Sequence, residues 1–360
     1  MKNLSVFTLL SYLIFCISAV AQEVEDISES LDSRIDSKFE NLNHRLDMIE
    51  KSIDDLMWYN KVGDVAFIDK VYMSGPPLAK EENPTGIGAG NPVKFWSYIF
   101  MPKNLDPGRK YPLIVFPHGG VHGDFTTYYT HIIRELMAQQ YIVIAAEYRG
   151  STGYGKAHYE KIDYGGLEID DVDASRSYML ENCDMVDKNK IGIIGWSHGG
   201  LIALMNIFDY PDHYTVAYAG VPVSDLIARL GYQTQDYRDL YSADYHIGKT
   251  VNEDVEEYKR RSPAWNAQKL KTPLLIHTNT NDEDVNVLEV EHLIQALKAE
   301  GKQFEYKIYE EIPGGHSFNR MDTKIAREIR LEIYRFLAKY LNPPKPFKNL
   351  KELEKAAYFF

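Results

Sequence analysis

Cysteine is almost missing from this chain. Its 360 residues hold two, Cys16 and Cys183, too few for a disulfide scaffold or a cysteine metal site. Clustered Lys and Arg are missing too, and the formal net charge is −12. Phosphate neutralisation needs such clusters, so the sequence argues against a nucleic-acid binder. Beyond residue 20 no long apolar run recurs, and the remainder is expected to be soluble. Gly86-x-Gly88-x-Gly90 has neither a strong strand before it nor a helix after it, so it reads as a flexible loop and not as a phosphate cradle. His118 and His122 have an H-x3-H spacing, but on a loop and with no third ligand indicated. No cofactor and no metal are therefore expected. What remains is ordinary globular composition, 44% apolar and 26% charged, long enough for one large domain or two modest ones.

Met1 and Lys2 precede an apolar run from Leu4 to Val20, and Ala19-Val20-Ala21 supplies a small-x-small site before Gln22. This is the pattern of a secretory signal peptide over residues 1–21, cut after Ala21. It predicts a secreted or periplasmic protein with no membrane attachment after cleavage. An uncleaved anchor is the alternative, because about 17 residues is the short limit for spanning a bilayer. The mature chain then keeps Cys183 alone, read as a small buried apolar residue.

Residues 22–57 contain neither Pro nor Gly and predict a helix. From Ile35 through Phe39, Leu42, Leu46, Ile49, Ile53 and Leu56 the apolar steps alternate four and three, which is a heptad seam; Ile27 and Leu31 precede it out of register. Eleven acidic against four basic residues between Glu23 and Asp55 give this arm a charge of −7. Two readings follow: a coiled coil over residues 27–56 that makes a homo-oligomer, or an amphipathic helix packed on its own domain. Residues 58–93, with Gly75-Pro76-Pro77 and Asn83-Pro84, read as a linker with the first strands.

The rest alternates strands and helices. Strand-like runs fall at Phe95–Phe100, Pro112–Phe116, Tyr141–Ala146, Lys190–Ile194, Thr215–Ala219, Pro273–His277 and Phe304–Tyr309. Helical patterns fall at Tyr128–Gln139, Glu168–Leu180, Gly199–Phe208, Leu288–Ala299 and Lys324–Tyr340. Strands such as Leu113-Ile114-Val115-Phe116 are apolar throughout, as a parallel sheet covered on both faces requires. The expected class is therefore α/β, a mostly parallel doubly wound sheet, with its chemistry in the loops after the strands.

Gly195-Trp196-Ser197-His198-Gly199 follows a strand and opens a helix, which is the context of a nucleophile elbow. A serine hydroxyl needs a base. His316, after two glycines at the end of a strand, is the candidate, since it can take the Ser197 proton and return it to a leaving group. The carboxylate behind it comes from the adjacent Asp282, Glu283 and Asp284, with Asp282 preferred. Two donors for the oxyanion are expected from the backbone N–H of His198 and from the loop Pro117-His118-Gly119-Gly120, at Gly120.

Several further segments accompany these. In order they are Glu147-Tyr148-Arg149-Gly150-Ser151-Thr152-Gly153-Tyr154-Gly155, Asp170-Asp171-Val172, Pro222-Val223-Ser224-Asp225, Arg261-Ser262-Pro263 and Asp282-x-x-Val285. Over residues 94–341 the chain resembles the catalytic α/β-hydrolase domain of the prolyl oligopeptidase family of serine peptidases, and within it the acylaminoacyl-peptidase-like branch. The resemblance selects Asp282, three before a valine, over Asp284. It implies a serine peptidase that cleaves short peptides through an ester on Ser197, with a carboxylesterase acting on acyl esters such as acylated carbohydrate as the alternative. The family's specificity-pocket positions map to Val223, Leu226 and Arg229, which lack the aromatics of proline-specific members. Family members usually carry a β-propeller before this domain, and fewer than 75 residues are expected between the signal cleavage site and position 94. The family's oxyanion tyrosine is replaced by His118. Residues Tyr232–Tyr245 read as a lid over the site or as a plain helical excursion, and 342–360 as a tail.

Overall fold

The doubly apolar runs lie side by side in the middle of one eight-stranded sheet. The structure is a computed structural model that describes residues 3–81 and 83–358. The strands are β1 (Ala66–Ser74), β2 (Lys94–Pro102), β3 (Tyr111–Val115), β4 (Ile142–Glu147), β5 (Val186–Trp196), β6 (Val216–Gly220), β7 (Leu274–Asn279) and β8 (Glu305–Tyr309). Their order in the sheet is β1-β2-β4-β3-β5-β6-β7-β8. The first two strands pair antiparallel, β2 is antiparallel to β4, and β3 to β8 run parallel.

Every residue of β3, β4, β6 and β7 is buried. Alternation along each strand sends side chains to two cores. Leu113, Val115, Ile142, Ile144 and Ile193 face the first, with the helices Leu167–Asn182, His198–Asp209 and Val287–Ala299. Ile114, Phe116, Val143 and Ile194 face the second, with Thr130–Ala138 and Lys324–Leu341. Helices on both faces of a mostly parallel sheet make this an α/β-hydrolase fold. The last residues are a packed part of it. Phe347 and Leu353 are buried in the second core, and Arg134 donates to the Ala356 carbonyl at 3.2 Å.

The N-terminal helix, α1, runs from Asn3 to Val62, so the expected cleavage point after Ala21 falls within it. Among the described residues no helix is long and apolar enough to cross a membrane. The C-terminal third of α1 packs on the domain. Trp58 and Val62 are buried in the second core, and the Trp58 ring lies 5.6 Å from Phe125 and 4.9 Å from Phe100. Lys51 pairs with Glu147 at 2.5 Å and Asp124 at 2.9 Å. Asp54 accepts from the Thr127 backbone and hydroxyl. The heptad seam takes no part in this packing and stays exposed.

Candidate active site

The carboxyl ends of β3, β5, β7 and β8 carry the four loops singled out above. At the end of β5 the chain turns abruptly into the helix His198–Asp209, and Ser197 takes φ 58°, ψ −125°. An L-residue is held there only when its surroundings enforce it. Two glycines make the turn possible. A Cβ on Gly195 would overlap the Gly199 carbonyl, and one on Gly199 would overlap the Pro117 carbonyl. The second contact brings the β3 loop against the elbow. Ser197 thus stands at the N-terminus of a twelve-residue helix, where negative charge is favoured.

His316 and Asp282 are brought together. His316 Nδ1 lies 2.9 and 2.8 Å from the two Asp282 carboxylate oxygens. Asp282 is itself fixed by the backbone N–H groups of Asp284 and Val285, which donate to Oδ1 at 2.9 and 2.8 Å. His316 Nε2 lies 3.7 Å from Asp284 Oδ2. A Ser197–His316 hydrogen bond is not formed in this structure, and such contacts commonly tighten only with substrate bound. The two loops are nevertheless tied, because Trp196 Nε1 donates to Asn319 Oδ1 at 3.0 Å.

The two expected oxyanion donors are the backbone N–H groups of His198 and Gly120. The His198 N–H is at the first turn of its helix, where N–H groups lack intrahelical acceptors. Gly120, at φ 91°, has a backbone N–H with no acceptor among the described residues, whereas the Gly119 N–H points to the Tyr129 hydroxyl at 3.4 Å. The His118 side chain is buried away from the cleft. It stacks on Tyr148 with ring centres 4.2 Å apart and bonds Ser151 Oγ through Nε2 at 2.9 Å. Burial holds its pKa down at about 3. In place of a tyrosine hydroxyl, this position supplies a neutral ring that supports the loop.

Val223, Leu226 and Arg229, expected at the specificity pocket, are 1%, 0% and 2% exposed. The Arg229 guanidinium is taken up internally. It reaches Asp284 Oδ1 at 2.6 Å, Glu289 Oε1 at 3.2 Å and the Tyr237 hydroxyl at 2.9 Å. Burial works to raise the Asp284 pKa, but Arg229 and His316 outweigh it and hold the carboxyl below its ordinary range. The tyrosine-rich segment forms the helices Leu226–Tyr232 and Gln235–Ser242. Tyr232 bonds Glu289 Oε1 at 2.5 Å and accepts from the Asn286 N–H at 3.0 Å, so this excursion seats against the acid loop.

Several supporting contacts carried no sequence signature. Glu283 accepts the His316 backbone N–H at 2.9 Å, and Asn279 grips Ile312 through both ends of its amide. Glu289 accepts from the backbone of Ser224 and Asp225 at 3.1 and 3.2 Å. The Tyr-Arg-Gly-Ser run is explained by buried bonds. Arg149 makes a bidentate pair with Asp171, both contacts at 2.8 Å, and the Tyr148 hydroxyl donates to the His118 carbonyl at 2.9 Å. Among the described residues no group of His, Cys, Asp and Glu is placed to hold a metal ion.

Comparison with known proteins places the chain in a family of serine peptidases. The model of the prolyl oligopeptidase family, Peptidase_S9, matches residues 127–344, more than half of the chain, and the chain belongs to that family. An acylamino-acid-releasing enzyme of Mus musculus is 28% identical over 227 residues, 60% of this chain and 30% of that enzyme. Dipeptidyl peptidase 8 of Mus musculus is 28% identical over 245 residues, 65% and 26% of the two chains. The chain therefore spans about a quarter to a third of these relatives' length. Among solved structures, the Pyrococcus horikoshii acylaminoacyl peptidase superposes with a TM-score of 0.63 at 18% identity, over 81% of this chain and 45% of that one, which bears on the fold alone.

Proposed function

We propose that the chain is a serine peptidase acting on short peptides by acyl transfer. Ser197 Oγ attacks the substrate carbonyl carbon as its proton passes to His316 Nε2. Asp282, bonded to Nδ1, fixes the ring and stabilises the imidazolium. The developing oxyanion is met by the N–H groups of His198 and Gly120. His316 then gives the proton to the leaving amine as the C–N bond breaks, which leaves the acyl group esterified on Ser197. A water molecule, deprotonated by His316, hydrolyses that ester and restores the hydroxyl. The observation that carries this reading is the Asp282–His316 pair, at 2.8 Å, on the same rim as a serine held in a strained elbow.

Family membership and relatives named as peptidases favour an amide over an ester as the natural substrate. The test compares kcat/KM on aminoacyl anilides and on short acyl esters for the wild type and Ser197→Ala. Anilide cleavage that disappears in Ser197→Ala is expected. Ester turnover without amide cleavage would replace the peptidase by an esterase, and the absence of a Ser197-dependent fluorophosphonate adduct would remove the hydrolase altogether. We further infer export of the chain from the Met1–Ala21 pattern; the mature N-terminus is then Gln22, which mass spectrometry of the exported protein reads directly.

A further inference from the structure

We propose that the outward face of α1 binds the same face of a second copy of this chain, as a parallel, in-register coiled coil. The helix carries two lines of residues on opposite sides. His44, Lys51 and Trp58, seven residues apart, face the domain. The His44 ring meets Tyr159 at 5.0 Å, Lys51 is paired with Glu147, and Trp58 is buried. The heptad seam lies on the other side. In heptad terms its a positions are Phe39, Leu46 and Ile53, and its d positions are Ile35, Leu42, Ile49 and Leu56. These side chains are 41–71% exposed. An apolar stripe of this length on a helix that projects from its domain is not stable bare in water. Because the domain holds the helix from behind, the seam is displayed already ordered, which lowers the cost of association.

The flanking charges select the partner. Lys38 and Arg45 occupy the g positions, and Asp36 and Glu50 the e positions. All four are exposed and make no ion pair among the described residues. The charges on the rear of the helix, by contrast, are engaged by the domain: Glu40 with Lys156 at 2.7 Å, and Asp55 with Lys70 at 2.6 Å. In a parallel pair each g residue meets the e residue five positions on in the partner, so Arg45 meets the second copy's Glu50 twice, once on each side. An antiparallel pair would set g against g and e against e, base against base and acid against acid. The seam therefore fits a copy of itself in one orientation. This inference does not depend on the catalytic reading.

Sedimentation equilibrium of the mature chain at micromolar concentration is expected to give at least twice the monomer mass. Leu42→Glu with Ile49→Glu is expected to give a monomer that keeps a cooperative thermal transition, since neither side chain packs on the domain. Leu56→Cys, at one end of the seam, is expected to form an inter-chain disulfide on mild oxidation. A monomeric wild type, or an oligomer that survives the double substitution, overturns the proposal. An oligomer in which Leu56→Cys does not cross-link overturns the parallel register, because antiparallel helices would hold the two cysteines far apart.

Discussion

Trp196 donates its indole N–H to the amide oxygen of Asn319 at 3.0 Å, and Asn319 in turn donates to the Tyr218 hydroxyl at 2.8 Å. One residue before the nucleophile is thus bonded to a residue three after the base. Both side chains are buried, so the bond is shielded from water and fixes the distance between two loops that leave different strands. Asn319→Ala is expected to lower kcat about 10- to 100-fold with KM little changed, the effect of a small misplacement in a site that works by alignment. Steady-state kinetics with a matched thermal unfolding curve checks it. A proportional rise in KM at constant kcat would mean that the bond shapes binding and not the alignment of Ser197 with His316.

The acid loop offers the imidazole two carboxylates. Asp282 holds Nδ1, and Asp284 stands 3.7 Å from Nε2 with its other oxygen on Arg229. Only the first can fix the tautomer that leaves Nε2 free to accept a proton. Asp282→Asn is therefore expected to lower kcat by about 10⁴, as in other serine hydrolase triads, while Asp284→Asn is expected to keep activity within about tenfold. Comparing the two variants on one anilide substrate decides the point, and the reverse ranking would transfer the role to Asp284.

The fold and the principal side chains were legible because each rests on a local pattern. Uniformly apolar runs such as Ile142–Ala146 announced buried parallel strands, and the glycines around Ser197 announced a turn that other residues would block. Asp282 was singled out by the family resemblance, three before Val285, and the Val285 N–H donates to its carboxylate. The supports were not legible, because they join residues distant in sequence. Glu289 lies on the helix Val287–Ala299, yet its carboxylate holds the Ser224 loop through the N–H groups of Ser224 and Asp225. Arg229 was expected to face substrate, yet the buried Glu289, the half-exposed Asp284 and the hydroxyls of Tyr232 and Tyr237 claim it. For α1 the two competing readings were drawn from one periodicity, and the helix has both a domain-facing side and a free one.

Lys51 joins α1 to the catalytic domain through charge. Its ammonium, 3% exposed, meets Glu147 at 2.5 Å, Asp124 at 2.9 Å and the Phe125 carbonyl at 2.8 Å. Glu147 is fully buried, accepts the Phe125 N–H and lies 3.5 Å from His118 Nε2, on the loop that carries Gly120. Burial raises the Glu147 carboxyl to about 7, with Lys51 pulling the other way. Removing one partner of a buried pair leaves the other charge uncompensated, so Lys51→Met is expected to destabilise the domain by about 3–5 kcal/mol. Urea unfolding measures it. A loss below about 1 kcal/mol, the range of exposed pairs, would mean that apolar packing at Trp58 and Val62, and not this charge pair, holds the helix on the domain.

Buried neutral histidines make stability depend on pH in a definite direction. Burial lowers the pKa of His118, His198 and His277 to about 3, against about 6.5 in an unfolded chain. Below about pH 6.5 the unfolded chain therefore binds protons that the folded chain refuses, and each such residue removes about 1 kcal/mol of stability per pH unit. Their contribution is expected to be fully present above that pH and to fall as the pH drops towards 4, while the buried Glu147, whose carboxyl is raised, works in the opposite direction. The difference in urea midpoint between the wild type and a variant lacking one of these histidines, at neutral and at mildly acidic pH, checks the sign: a difference that does not change with pH would refute it. His277 isolates the effect. Its ring lies between Tyr218 and Tyr309, 5.4 and 5.2 Å away, and its Nδ1 has no hydrogen-bond partner among the described residues. His277→Phe keeps an aromatic ring there and removes one titrating group, so the acid-side slope is expected to become shallower by about one proton while hydrolysis at neutral pH is unchanged.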